Sequence, residues 1–243
     1  MQVFKFTDNA MTTVLLVDDD RTYRKILEKK LENYFAASCK DDSGEMDNIE
    51  IVLAEDGKEA IGYLQKHPVA LLVTDINMPK INGLKLLAYV KNYHPEIPCI
   101  LMTAYGAVEI GKDVINDGVL YIQKPFQVDQ MGKMILSALN IDASCSQRSG
   151  ISLAGFLRLI EMEGQSCFVK VTTTSGDVGY FSFKDGELFD AVYADLKGEE
   201  AALKMIPMKS YKIELLELPE RKLKKRIQAT GLMPLISKAM DKT

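Results

Sequence analysis

The sequence predicts a doubly wound α/β domain with a five-stranded parallel sheet over residues 12–140, followed by a smaller α+β domain over 151–243. Three observations carry this. In 12–140, five short apolar runs alternate with stretches of helical spacing, the pattern of parallel strands and crossover helices. The runs lack polar alternation, as strands covered on both faces do. After residue 150 the alternation stops, and β-branched runs joined by Ser175-Gly176 and Lys184-Asp185-Gly186 signal antiparallel hairpins.

The first strand, 13–17, ends in Asp18-Asp19-Asp20. Residues 21–35 follow as a helix with Tyr23, Ile26, Leu27, Leu31 and Tyr34 near one face, and Asp20 stands where an N-cap is wanted. The stretch 37–48, containing Lys40-Asp41-Asp42-Ser43-Gly44-Glu45, reads as a mobile acidic loop. Ile49–Ala54 is a strand, and 57–65 a helix that stops before His67-Pro68. The unbroken run Leu71-Leu72-Val73 is a buried strand ending at Asp75, after which Pro79 and Gly83 mark a loop. A helix over 84–92, a strand over 98–102, a helix over 107–116, the strand Val119–Gln123 and a helix over 128–139 complete the unit.

Composition excludes several classes. With 243 residues there is room for one large or two small domains, and 47% apolar with 26% charged is ordinary for a globular protein. Apolar runs fall far short of the ~18–20 residues of a membrane span, so no membrane insertion is expected. Residues 1–11 read as a tail without the charged and apolar regions of a signal peptide, with Met11 an alternative start. Cys39, Cys99, Cys145 and Cys167 are far apart and lack metal-ligand spacing, which suits reduced thiols in a cytoplasmic protein. Two histidines, His67 and His94, each precede a proline and fit helix ends, and they are too few for a histidine metal cluster. The net charge of −4 divides into −5 on 1–140 and +1 on 141–243, so neither half has the bias of a nucleic-acid binder.

The informative residues are those that end the strands. In a parallel sheet all carboxyl ends lie along one edge, where ligands bind. Asp18 and Asp19, Asp75, Thr103 and Lys124 would therefore meet there. Singly they read as a helix cap, a strand-end residue and a lysine before a turn proline. Together they form a chemical set. Clustered carboxylates repel, and either titrate high or bind a cation. Partly open hard oxygen ligands suit Mg²⁺. Asp75 is then a candidate nucleophile towards a phosphoryl group, with Mg²⁺ and Lys124 neutralising the oxygens and Thr103 offering a hydroxyl.

Val-Asp-Asp-Asp at 17–20, Thr-Asp-Ile-Asn-Met-Pro at 74–79 with Gly83, Met-Thr-Ala at 102–104 and Tyr-Ile-Gln-Lys-Pro-Phe at 121–126 resemble the receiver domain of two-component response regulators, a flavodoxin-like fold. The resemblance implies that Asp75 accepts a phosphoryl group from a histidine kinase or phosphotransfer protein. It implies Mg²⁺ held by Asp18, Asp19, Asp75 and the backbone carbonyl of Asn77, and Lys124 on the phosphoryl group with a cis bond to Pro125. Thr103 and Tyr121 would be the switch pair. The loop at 37–48 is longer than this family usually has between its first helix and second strand.

Residues 141–150 are small and polar, a linker. Beyond it, 151–162 has apolar residues at 153, 156, 157 and 160 and is helical. Strands follow over 167–174, 178–183, Glu187–Tyr193 and 211–218, with helices over 198–206 and 220–240, the last burying Ile227, Leu232, Leu235, Ile236 and Met240. There is no nucleophile–base pair, phosphate loop or metal cluster here. The run Phe-Lys-Asp-Gly-Glu-Leu-Phe-Asp-Ala at 183–191, with Gly-Glu-Glu-Ala at 198–201, resembles the DUF4388 (PATAN) domain, which implies protein–protein contacts. Asp185 and Gly186 read as turn residues and Asp190 as a solvated strand charge. The basic run Arg221-Lys222-Leu223-Lys224-Lys225-Arg226 reads as a solvated face beside Glu214, Glu217 and Glu220, and no helix-turn-helix pattern is evident. The expected function is a phospho-aspartate switch acting on an unknown protein partner through 151–243. A DNA-binding regulator with a divergent output domain and a phosphorylation-independent scaffold are the alternatives.

Overall fold

The computed structural model describes residues 11–38, 49–104, 119–140, 151–218, 224–228 and 231–241. They form two sheet-centred units with a five-stranded sheet in each.

The first unit alternates strand and helix: β1 (Thr12–Val17), α1 (Arg21–Ser38), β2 (Ile49–Ala54), α2 (Gly57–Leu64), β3 (Leu71–Asp75), α3 (Gly83–Tyr93), β4 (Cys99–Thr103), β5 (Val119–Gln123) and α4 (Val128–Asn140). The sheet order is β2-β1-β3-β4-β5, with β1 parallel to both β2 and β3, and β3 parallel to β4. Connections run one way from β1 to β2 and the other way from β3 onward, so the topological switch lies between β1 and β3. Val14 to Val17, Leu71 to Val73 and Ile100 to Met102 have essentially no exposed surface, as strands with helices on both faces must. This is the doubly wound α/β class expected from the sequence.

Two local expectations shift. Helix α1 runs to Ser38, beyond residue 35, and its buried stripe is Leu27, Leu31 and Phe35, whereas Ile26 is 50% exposed. Ile26 stands one residue, about 100° of helical rotation, from that stripe. Of the loop expected at 37–48, residues 37 and 38 belong to α1 and the rest lies outside the described residues, as does the helix expected at 107–116. Cys99 and Cys167 are buried and not joined in a disulfide, and burial pushes the Cys99 thiol up to about 12. Cys39 and Cys145 lie outside the described residues.

The second unit contains α5 (Leu153–Met162), β6 (Cys167–Thr173), β7 (Val178–Lys184), β8 (Glu187–Tyr193), β9 (Leu196–Lys197), α6 (Glu199–Met205), β10 (Tyr211–Leu216) and α7 (Met233–Met240). Its sheet is antiparallel in the order β10-β6-β7-β8-β9. Asp185 and Gly186 both take positive φ, 50° and 78°, and close the β7–β8 hairpin as a two-residue turn requires. Phe156, Leu157 and Ile160 of α5 are buried, as are Val169, Val171, Phe181, Phe183 and Ile213 of the sheet.

The long helix expected over 220–240 is not formed. Residues 224–228 form neither helix nor strand, and the backbone N–H groups of Arg226 and Ile227 both donate to the Phe189 carbonyl, at 2.9 and 3.1 Å. Helix α7 begins only after Gly231, whose φ of 84° is not helical, with Pro234 in its first turn. Ile227, Leu232 and Leu235 are buried as expected, but Met240 is 48% exposed. Asp190 is also corrected: it is 7% exposed and paired with the Arg226 guanidinium, not solvated.

Candidate functional site

Strands β1 and β3 are hydrogen-bonded neighbours with Val17 beside Thr74, so the residues that leave them, Asp18 and Asp75, emerge side by side at the carboxyl edge. The Asp18 carboxylate is 2% exposed and held at both oxygens. Oδ1 accepts from the backbone N–H of Asp20 at 2.9 Å, and Oδ2 accepts from Lys124 Nζ at 2.8 Å. The Arg24 guanidinium, one turn into α1, donates to the Asp18 backbone carbonyl. Lys124 Nζ also lies 3.0 Å from Asp75 Oδ1, so one ammonium bridges the two carboxylates.

Each backbone segment is pinned. The Lys124 backbone N–H donates to Thr103 O at 2.8 Å, tying the end of β5 to the end of β4, and the Lys124–Pro125 peptide is cis. Ile76 N–H donates to Met102 O at 3.2 Å, and Thr74 Oγ1 donates to Asp75 O at 2.9 Å. Gly83 N–H then returns to Ile76 O at 2.9 Å. Thr103 and Tyr121 are buried, at 2% and 9% exposure, whereas Asp19 and Asn77 are exposed. The structure thus joins Asp18, Asp75 and Lys124 in direct contact and sets Thr103 at the same edge.

Burial pushes the Asp75 carboxyl above the usual aspartate range, the Lys124 ammonium pulls it down, and the charges of Asp18 and Asp19 raise it further. For Lys124, burial works against the charge, but the bond to Asp18 and the charge of Asp75 outweigh it and hold the ammonium above the usual lysine value. The rim therefore has more acid than base, one carboxylate exposed and one partly so. That donor set is the hard, partly open oxygen chemistry Mg²⁺ takes. Among the described residues no three acidic, histidine or cysteine side chains converge on a single point, and Lys124 stands between the two inner carboxylates. In kind the residues fit a divalent ion that Asp18, Asp19 and Asp75 would hold.

Four contributors escaped the sequence reading. Tyr23 of α1 places its ring 4.7 Å from Lys124 Nζ, edge-on to Phe126 with centroids 6.4 Å apart. Burial raises its phenol pKa, with Lys124 lowering it and Asp18 and Asp75 raising it, which sets the ring within electrostatic reach of the whole site. Arg24 is the second. Asp56 and Lys80 are the other two: Lys80 Nζ meets Asp56 Oδ2 at 2.5 Å, and Gly57 N–H donates to Ile81 O at 3.1 Å, fastening the loop after Asp75 to the start of α2. An aspartate directly before Gly57 was a legible N-cap signal. Nothing local marks Tyr23, Arg24 or Lys80, because their partners are remote in sequence.

A doubly wound sheet of order 2-1-3-4-5 with an acidic rim and a bridging lysine at its carboxyl edge places the chain in the doubly wound α/β class with a charged site at the strand ends. The chain belongs to the response regulator receiver domain family, whose model matches residues 14–136, just over half of it. This is a family of phospho-acceptor signalling domains. Among curated proteins it is 32% identical over 115 residues to the response regulator protein FleR of Pseudomonas aeruginosa, covering 47% of this chain and 22% of FleR. It is 29% identical over 143 residues to the DNA-binding transcriptional regulator NtrC of Salmonella typhimurium, covering 58% of this chain and 28% of NtrC. The chain thus spans about a quarter of the length of these relatives. Among solved structures, the response regulator TrrA of Thermotoga maritima in complex with Mg²⁺-BeF is 26% identical, covering 53% of this chain and all of that one, with a TM-score of 0.42. CheY4 of Vibrio cholerae is 23% identical over 54% of this chain and all of that one, with a TM-score of 0.43. Among the described residues no helix is long and apolar enough to cross a membrane.

Proposed function

We propose that this protein is a response regulator in which Asp75 accepts a phosphoryl group from a histidine kinase or phosphotransfer protein, and in which residues 151–243 convey the change to a protein partner. On this reading residues 1–11 are a tail, 12–140 the receiver, 141–150 a linker and 151–243 an output domain of DUF4388 (PATAN) type, in a cytoplasmic protein. The observation that carries it is the Lys124 ammonium held between Asp18 and Asp75, at 2.8 and 3.0 Å, at the carboxyl edge of the sheet.

A carboxylate oxygen of Asp75 attacks phosphorus of a phosphohistidine. The new P–O bond forms as the P–N bond breaks, and the electron pair leaves with the imidazole nitrogen. Asp18, Asp19, Asp75 and the Asn77 carbonyl would hold Mg²⁺, which would supply charge neutralisation. Lys124 turns from the Asp75 carboxylate to the phosphoryl oxygens, and the Thr103 hydroxyl donates to them. The group adds about −1.5 to −2 charges, and buried Thr103 and Tyr121 are the pair that respond. The domain promotes its own phosphorylation and slow hydrolysis, not multiple turnover on a substrate.

DNA binding of the NtrC kind is disfavoured by an observation in the second unit. Lys225 and Arg226, from the basic run, are paired with Glu187 and Asp190 of β8. The test is incubation of folded protein with acetyl phosphate and Mg²⁺, read by mass spectrometry. One phosphoryl group is expected on Asp75, absent with a chelator and absent in Asp75→Asn. Folded wild-type protein that stays unmodified overturns the reading. A partner captured equally by wild type with beryllofluoride and by Asp75→Ala would instead establish a phosphorylation-independent scaffold.

A further inference from the structure

The side chain that receives a phosphoryl group is only as well served as the ammonium beside it is well aimed. Lys124 carries its charge on a flexible four-carbon stem with three rotatable donors. Two directions around that ammonium are taken by Asp18 Oδ2 and Asp75 Oδ1. A third is taken by the face of Tyr23, 4.7 Å from Nζ to the ring centroid. The ring is itself fixed. The Tyr23 backbone N–H donates to Asp20 Oδ1 at 3.0 Å in the first turn of α1, and Phe126 meets the ring at 80°.

We infer that Tyr23 is a positioning residue for phosphoryl transfer, its aromatic face confining the Lys124 ammonium to the Asp18–Asp75 side of the site. An ammonium over an aromatic face is attracted by the ring quadrupole and loses water on that side. The arrangement matters most when Asp75 gives up its half of the bridge, because Asp18 alone would leave Lys124 free to swing outward. The ring then keeps the charge where the phosphoryl oxygens arrive. The π face supplies the effect, so the hydroxyl is dispensable and aliphatic bulk is not a substitute.

This inference rests on Asp75 being the phospho-acceptor, and the experiment separates the two. Lys124 reactivity is measured first in the full chain without metal or phosphodonor, by competitive labelling with acetic anhydride and peptide mass spectrometry. Tyr23→Ala and Tyr23→Leu are expected to label at Lys124 about tenfold faster than wild type, and Tyr23→Phe within about twofold of it, the range an ammonium–ring attraction spans. Acetyl phosphate with Mg²⁺ then gives the rate of Asp75 phosphorylation, expected to fall about tenfold in the Ala and Leu variants and to be retained in Phe. Wild-type labelling in folded Tyr23→Leu overturns the inference, as does a Tyr23→Phe variant as impaired as Tyr23→Ala. Wild-type protein that is never phosphorylated removes the phospho-acceptor reading, and Lys124 labelling still decides whether Tyr23 confines the ammonium.

Discussion

A Cβ added at Gly83 would lie 2.2 Å from the Asp75 carbonyl oxygen and 2.8 Å from the Ile76 Cα. Both are backbone atoms of the segment that carries Asp75, the proposed acceptor, so neither can rotate away. Gly83→Ala must move Asp75 itself. The expected cost is about 2–4 kcal/mol by denaturant melting, with Asp75 phosphorylation by acetyl phosphate falling in the same variant. A glycine eight residues after an aspartate was visible in the sequence as a loop marker. That it is needed for close backbone approach is a fact of how α3 starts against the end of β3.

At the scale of elements, the loop after β3 is held by the start of α2. Asp56 Oδ1 accepts from the backbone N–H groups of Lys58 and Glu59, at 2.8 and 2.9 Å, while Oδ2 meets Lys80. The Lys80 hydrogen bond, with the Glu59 and Lys58 backbone bonds, holds the Asp56 carboxyl below the usual aspartate range against the opposing effect of burial. A carboxyl depressed in the folded state contributes stability that is present above its unfolded value near 4 and is lost as pH falls through the lower folded value. Asp56→Ala should therefore cost about 1–2 kcal/mol at pH 7, measured by urea unfolding, and the gap to wild type should close as the pH is taken below about 4. Asp56→Asn keeps a capping oxygen, so its smaller loss isolates the Lys80 bond.

For the whole molecule, the basic run at 221–226 shows how composition misleads. Two of its described members pair with acids of the same unit, Lys225 with Glu187 and Arg226 with Asp190, and Arg226 also donates its backbone N–H to Phe189 O. Asp190 lies on β8 with its side chain 10% exposed, so removing the guanidinium strands a largely buried carboxylate. Arg226→Met is expected to destabilise the protein by about 2–3 kcal/mol, less than the ~3–5 kcal/mol of a fully buried pair because the arginine is partly exposed. Adding Asp190→Asn should recover most of that loss in the same thermal melts. Recovery by Asp190→Asn but not by Asp185→Asn locates the effect in the pair.

The sequence by itself determined the first sheet and its rim. Apolar runs that end in carboxylates, a hydroxyl and a lysine can bury themselves only as parallel strands, and parallel strands bring those ends to one edge. It determined the β7–β8 hairpin equally well, because Asp-Gly supplies the backbone conformation the turn needs. The tertiary structure alone decided which remote side chains complete the site: Tyr23 over Lys124, Arg24 on the Asp18 carbonyl, Lys80 on Asp56. It also decided that 224–228 is tied to β8 through the Phe189 carbonyl instead of forming a helix, and that Asp190 is buried and paired with Arg226. Local periodicity and propensity are written in neighbouring residues, whereas the partner of a charge or a ring is set by packing between segments far apart in the chain.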